Sequence, residues 1–125
     1  MNMQLSARAA YVRTDAPDRS ARQIEYDAFA RVTQQMSRAL QADQSDHSSL
    51  VRAVHENMRL WRVLSQDVAQ TENRLPAELR ARLSYLGAFT LQHSRKAMKR
   101  EADLRVLIDI NTAIMRGLRN EGATA

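Results

Sequence analysis

Cysteine is absent from this 125-residue chain, which excludes disulfide frameworks, thiol nucleophiles and thiolate metal sites together. Glycine occurs three times and proline twice. The glycines are isolated from one another, so neither a phosphate-cradling loop nor a dinucleotide-binding turn can be built. Scarce turn residues and the lack of β-branched runs argue against a sheet, while abundant Ala, Leu, Arg and Gln favour long helices. No apolar run approaches the roughly 20 residues of a membrane span. The N-terminal stretch from Met1 to Arg13 lacks the continuous hydrophobic core of a secretory signal, so the expectation is a soluble cytoplasmic protein with no membrane insertion.

Catalytic chemistry is equally sparse. His47, His55 and His93 fall on three different predicted elements, with no HExxH spacing to join them. Neither a metal nor an organic cofactor is expected. His93 lies on an apolar helical face, where a hydrogen-bonded boundary histidine is the ordinary reading. No carboxylate or hydroxyl sits in a pattern that suggests a desolvated acid, base or nucleophile, and the expectation is a protein that is not an enzyme.

The formal charge of +5 comes from 19 basic and 14 acidic residues. Acidic residues are interspersed nearly everywhere, which describes a solvated, ion-paired surface better than a nucleic-acid footprint. The densest basic group is Arg95, Lys96, Lys99 and Arg100, with Arg80 and Arg82 earlier on the same predicted helix. It is the best candidate for phosphate contact. Basic residues also gather at helix C-termini because of the helix dipole, and no exposed aromatics are interleaved to stack bases.

Periodicity predicts an all-α domain: a small bundle of about four helices, preceded by a short helical leading segment over residues 1–16. The first long helix should run from about Asp18 to Gln41, with Ile24, Ala28, Val32, Met36 and Leu40 spaced by four and Tyr26 and Phe29 widening the face. A polar stretch over 41–49 is expected to be a mobile loop, with Ser48 or Ser49 capping the next helix. That second helix, about Leu50 to Gln70, carries Val51, Val54, Met58, Trp61, Leu64 and Val68, with Trp61 as its central packing residue. Pro76 fits the first turn of the third helix, whose apolar line is Leu79, Leu83, Leu86, Thr90, His93 and Ala97. Lys99, Arg100 and Glu101 contain no helix breaker, so the third and fourth helices are joined by a very tight turn or run partly continuous. The fourth should begin near Asp103 and end near Gly117, leaving a disordered tail over 120–125.

The most distinctive stretch is Asp103 to Leu118. Leu104, Leu107, Ile108, Asn111, Ile114, Met115 and Leu118 follow helical spacing, which puts an amide on the aliphatic stripe. Left unpaired when buried, that amide would cost roughly 1–3 kcal/mol. Asn111 is therefore expected to hold a neighbouring helix end, a loop carbonyl or a partner's backbone. Asp67 and Asn73 are placed to tie the turn before Pro76. Leu60 beside Trp61, and Ile110 beside Asn111, make the apolar faces of the second and fourth helices wider than one bundle seam needs. Such a face can receive an amphipathic helix in a groove.

These residues resemble the FlaF family of flagellar biosynthesis regulators of α-proteobacteria. The resemblance rests on NMRLW at Asn57 to Trp61, DVA at Asp67 to Ala69, NRLP at Asn73 to Pro76, LRA at Leu79 to Ala81, HS at His93 and Ser94, and INTAIMRGL at Ile110 to Leu118. Glu25, Tyr26 and Phe29 extend it toward the N-terminus. Family members often carry a glycine between the last two helices, where this chain has Arg100 and Glu101. The resemblance implies a cytoplasmic factor required for flagellin production and filament assembly, acting with FlbT, as an export chaperone that covers an amphipathic terminal helix of flagellin. On that reading Leu60, Trp61, Leu75, Ile114, Met115 and Leu118 line the groove, with Met36, Met58 and Met115 as adaptable walls. Asn57, Asp67, Asn73 and Asn111 fix loops or pair with the ligand's backbone. The competing expectation is post-transcriptional: contact with flagellin messenger RNA, directly or through FlbT, by Arg95, Lys96, Lys99 and Arg100.

Overall fold

The computed structural model describes the backbone of residues 17–124 and the side chains of residues 25–119. The leading segment lies outside the described residues. Four helices follow one another: α1 Pro17–Gln41, α2 His47–Val68, α3 Ala77–Met98 and α4 Leu104–Thr124. Short connections make successive helices antiparallel, so this is a small all-α bundle. Helix α1 packs against both α2 and α4, whereas α3 leans on α2 and touches α4 far less. Pro17 opens α1 as the first helical residue, where its missing N–H costs nothing.

Helix α2 starts earlier than the serines suggest. Its cap is Asp46, whose carboxylate accepts from the Ser49 amide at 3.2 Å and from the Ser49 hydroxyl at 2.7 Å. The serines are donors to the cap, and His47, Ser48 and Ser49 belong to the helix, so the connection is shorter than 41–49. Hydrogen bonds from the Ser49 hydroxyl and amide hold the Asp46 carboxyl below the ordinary carboxylate range. Bonds from Ser45 do the same for Asp43. Because the folded-state pKa is the lower one, the capping contribution is full above the unfolded value near pH 4 and is lost as pH falls through the folded value. Asp46→Asn keeps a capping oxygen but removes the titration. Its thermal midpoint at neutral pH should stay close to that of the parent, while its decline between about pH 5 and pH 2 becomes shallower. An unchanged acid slope would show that the cap carries no linkage.

The turn into α3 is tied by Asn73. Its amide nitrogen donates to the Asp67 carbonyl at 3.1 Å and to the Asp67 carboxylate at 3.3 Å, and its oxygen accepts from the Leu75 amide at 3.0 Å. Pro76 stands just ahead of α3, as its N-cap at ψ 145°, rather than within the first turn. At the other end α3 stops abruptly. Arg100 takes a left-handed conformation at φ 60°, with the Arg100 amide donating to the Ala97 carbonyl and the Glu101 amide to that of Lys96. This is a Schellman closure with arginine at the position that glycine usually fills. A left-handed arginine costs about 1–2 kcal/mol. The offset is visible: the Arg100 guanidinium donates to the Gln44 carbonyl at 2.6 Å, pinning the α1–α2 connection to the α3–α4 turn. The two helices are thus joined by a tight turn and are not continuous.

Asp103 leads α4, accepting from the Arg105 amide at 2.9 Å. Gly117 does not end the helix. It has no positive φ, and the backbone stays helical to Thr124, past the expected end near 117 and through residues 120–124 of the expected tail. A glycine inside a helix costs only about 1 kcal/mol and is not by itself a stop.

The buried line of α3 also differs from its expected one. Leu83, Gly87, Thr90, Ser94 and Ala97 face inward, while Leu79, Leu86 and His93 stand on the flanks. Small residues let α3 press on α2. A methyl group built on Gly87 would collide with the Ser65 hydroxyl and reach Trp61 at 3.7 Å, and that hydroxyl is itself buried without a partner. The Ser65 hydroxyl can turn away without losing a partner and the remaining contacts are ordinary, so Gly87→Ala should change stability by less than about 1 kcal/mol, the collision offsetting the gain of about 1 kcal/mol in helix propensity. Adding Ser65→Ala removes the collision and should release that gain in the double variant. Simple additivity in urea unfolding would contradict this packing.

Candidate functional site

Midway along the bundle a polar layer crosses three helices. Asn111 of α4 stands at its centre with no exposed surface. Its oxygen accepts from the Trp61 indole nitrogen at 2.9 Å; its amide nitrogen donates to Asn57 Oδ1 at 2.7 Å and to the Thr33 hydroxyl at 3.1 Å. An indole N–H can only donate, which orients the Asn111 amide, and that orientation in turn makes Asn57 the acceptor. The layer thereby joins α1, α2 and α4. Phe29 closes it with an edge-on contact to Trp61, ring centroids 5.7 Å apart at 83°. Asn111 thus holds three side chains, in place of the expected helix end, loop carbonyl or partner backbone. Asn57 likewise holds Asn111 and fixes no loop.

Packing differs on the two sides of this layer. Toward the α1–α2 connection lies a buried apolar cluster of Met36, Leu50, Ala53, Val54, Met58, Ala97, Leu104 and Leu107. Beyond that cluster, at the tip, a recess of about 220 Å³ runs between Ala39, Leu50, Ala97 and Leu104. On the opposite side, none of the described α4 side chains after Asn111 is buried. Ile110, Ile114, Met115 and Leu118 are half-buried, as are Leu60 and Leu64 on α2, Leu75 in the turn, and Leu79 on α3. The antiparallel order carries the later halves of α2 and α4 and the α2–α3 turn toward this same end.

Trp61 does not share that exposure. It is 0% exposed and is among the largest fully covered side chains, so its packing role is what the structure displays. In this conformation a ligand cannot reach it. Met36 and Met58 are likewise interior, and only Met115 of the three methionines stands at the half-covered end.

The basic residues are divided. Arg95, Lys96 and Lys99 are exposed at the α3 C-terminus, while Arg100 is engaged with Gln44. Arg82 pairs with Glu78 at 3.2 Å, about 20 Å of helix away from Arg95. No continuous basic strip forms along α3. His93 Nε2 donates to the Asp103 carbonyl at 2.8 Å, which ties α3 to the start of α4. Among the described residues no group of three or more His, Asp or Glu could hold a metal, and no helix is long and apolar enough to cross a membrane.

Periodicity had placed Asn111 on the stripe, but its partners lie 50, 54 and 78 residues away and carry no local signal. Thr33 and Gly87 carry weak signals in the sequence, for different reasons. Thr33 reads as an ordinary polar helical residue, and Gly87 as an accident, although an isolated glycine within a helical pattern is a usable sign of close packing.

Fold and site together define a small helical bundle with a polar lock at mid-height and, among the described residues, incompletely covered aliphatic surface at one end. The family model described as flagellar protein FlaF matches residues 7–118, and the chain belongs to that family. It is a flagellar protein. Neither curated proteins nor solved structures yield a match.

Proposed function

We propose that this FlaF-family protein is a non-enzymatic, cytoplasmic export chaperone for flagellin, acting with FlbT in the regulation of flagellin production and filament assembly. The observation that carries the reading is the asymmetry of packing about the polar layer. Toward the α1–α2 connection Met36, Val54, Met58 and Leu107 form a fully covered apolar cluster, while Leu60, Leu75, Ile114, Met115 and Leu118 on the other side keep part of their apolar surface in contact with water. A flagellin terminal helix has an apolar stripe that is unpaired before assembly, and such a stripe invites premature association. Laying it on half-covered aliphatics shields both surfaces. Met115, with its flexible thioether, suits a surface that receives a helix. Trp61 takes no direct part; together with Asn57 and Asn111 it keeps the helices that carry the surface in register, while Asp67 and Asn73 hold Leu75.

The test is co-purification with flagellin, with FlbT and with the flagellin transcript leader, in parallel. Flagellin should be retained, with little loss between 50 and 500 mM salt, and Ile114→Glu with Leu118→Glu should weaken retention at least tenfold while the helical circular dichroism is kept. RNA contact through Arg95, Lys96 and Lys99 would instead weaken steeply with salt and disappear on charge reversal at Lys96 and Lys99. Retention of RNA without flagellin would overturn the chaperone reading.

A further inference from the structure

Helix α3 has an apolar stripe on its outer side. Tyr85 is 72% exposed and Phe89 37%, two of the three exposed large hydrophobic residues among the described side chains. At 100° per residue, Glu78, Ala81, Tyr85, Phe89, Gln92 and Lys96 share one face, directed away from the buried line through Leu83, Gly87, Thr90, Ser94 and Ala97. Their spacings of three and four are those of a helix–helix seam. The helix contributes its small residues to its own bundle and shows its large aromatics to water.

We propose that this face pairs with a second copy of the chain, α3 against α3 in antiparallel orientation, about a two-fold axis passing between Tyr85 and Phe89. The distribution of charge and bulk is what selects this occupant. Positions equally far from residue 87 meet across such an axis. Tyr85 then packs on Phe89 of the second copy, and Phe89 on its Tyr85. Glu78 and Lys96 each stand nine residues from the centre, about 13 Å along the axis, so each carboxylate meets an ammonium at both ends of the seam. Within its own helix Glu78 holds Arg82 through one carboxylate oxygen, and the other is left to face the lysine. Ala81 is small enough to let the helices approach. Phe89 is already stacked on His93, ring centroids 5.4 Å apart at 27°, which limits its freedom before association. A parallel pair would set Lys96 against Lys96 and Glu78 against Glu78. The helix dipole accounts for acid at one end and base at the other; what an unrelated partner helix leaves unexplained is that Glu78 and Lys96 stand at equal distances from the aromatic pair. The surface is self-complementary, as a two-fold interface must be.

Sedimentation velocity of the full chain across a concentration series reads the association. The parent should sediment as a dimer at the upper concentrations. Tyr85→Glu with Phe89→Glu should weaken association at least tenfold without changing helical content. Glu78→Lys alone and Lys96→Glu alone should each weaken it, and the two combined in one chain should restore it. Orientation is read separately, because the natural chain has no cysteine. Under oxidation, Arg82→Cys chains mixed with Gln92→Cys chains should form a mixed disulfide in preference to either homodimeric one. A monomer at all concentrations overturns the proposal. So does a dimer indifferent to Tyr85 and Phe89, or one that crosslinks like position to like.

Discussion

Replacing Asn111 with alanine is expected to cost about 3–5 kcal/mol, because it strands three groups at once. The Trp61 indole N–H, the Asn57 oxygen and the Thr33 hydroxyl all lose the same partner, and all lie where water hardly reaches. A domain of this size has about 5–15 kcal/mol in total, so the variant should sit near the edge of folding in urea titration. Asn111→Asp gives a gentler and more diagnostic version. Asn57 can turn its amide and Thr33 its hydroxyl to donate to the new carboxylate, but the charge is buried. Burial raises the folded-state pKa of that carboxyl, so its stability should be highest below about pH 4 and fall as pH rises toward the raised value. That slope is opposite in sign to the one carried by Asp46. A loss under 1 kcal/mol for the alanine variant, or a pH profile like that of the parent for the aspartate variant, would show that the layer does not lock the bundle.

Trp61→Ala should be about as damaging, at about 3–5 kcal/mol, for a different reason. Here the main loss is volume. The side chain is fully buried, meets Phe29 edge-on and lies under Gly87 of α3, so three helices face the cavity. Trp61→Phe keeps most of the bulk and leaves Asn111 Oδ1 without its donor, for which about 1–3 kcal/mol is expected. Combined with Asn111→Leu, the phenylalanine change should add much less than it costs alone, since the bond it breaks is already gone. Equal costs in both backgrounds would mean that the indole contributes packing only. Trp61 is the single tryptophan of the chain, so its emission reports on the layer without labels. It should be blue-shifted and resistant to acrylamide in the native protein, and should shift in step with circular dichroism on unfolding.

The helices of this fold were legible because their apolar residues recur at helical spacing and their connections are polar. Leu40 shows the limit of that rule. Strict spacing by four turns the stripe through about 40° at each step, so a line beginning at Val32 has rotated by about 80° at Leu40, which is exposed at 39%. Boundaries suffered where several good capping residues crowd together: Asp43, Asp46, Ser48 and Ser49 could each have opened α2, and only the carboxylate of Asp46 meets the helix amides correctly. Asn111 could be read as buried from its own neighbours in the chain. What it bonds could not, since Thr33, Asn57 and Trp61 are brought to it by the packing of α1 and α2. Trp61 was doubly legible, as the central residue of α2 and as the wall of a groove, and burial separates the two. The outer stripe of α3 is hidden in the sequence because Leu79, Leu83 and Leu86 suggest an inward face, and only the fold reveals that Gly87 and Ser94 point inward while Tyr85 and Phe89 point out.

The resulting picture assigns different tasks to different levels of one small bundle. A polar lock at mid-height holds α1, α2 and α4 together, and on the chaperone proposal the aliphatic end beneath it receives a client helix. Hydrogen exchange by mass spectrometry, on the protein alone and with flagellin, probes that division most directly. Slowed exchange should appear in the segments holding Leu60 to Leu79 and Ile110 to Leu118, with Trp61 emission unchanged and the α1–α2 connection unaffected. Protection confined to the α3 C-terminus, or exposure of Trp61 on binding, would contradict it.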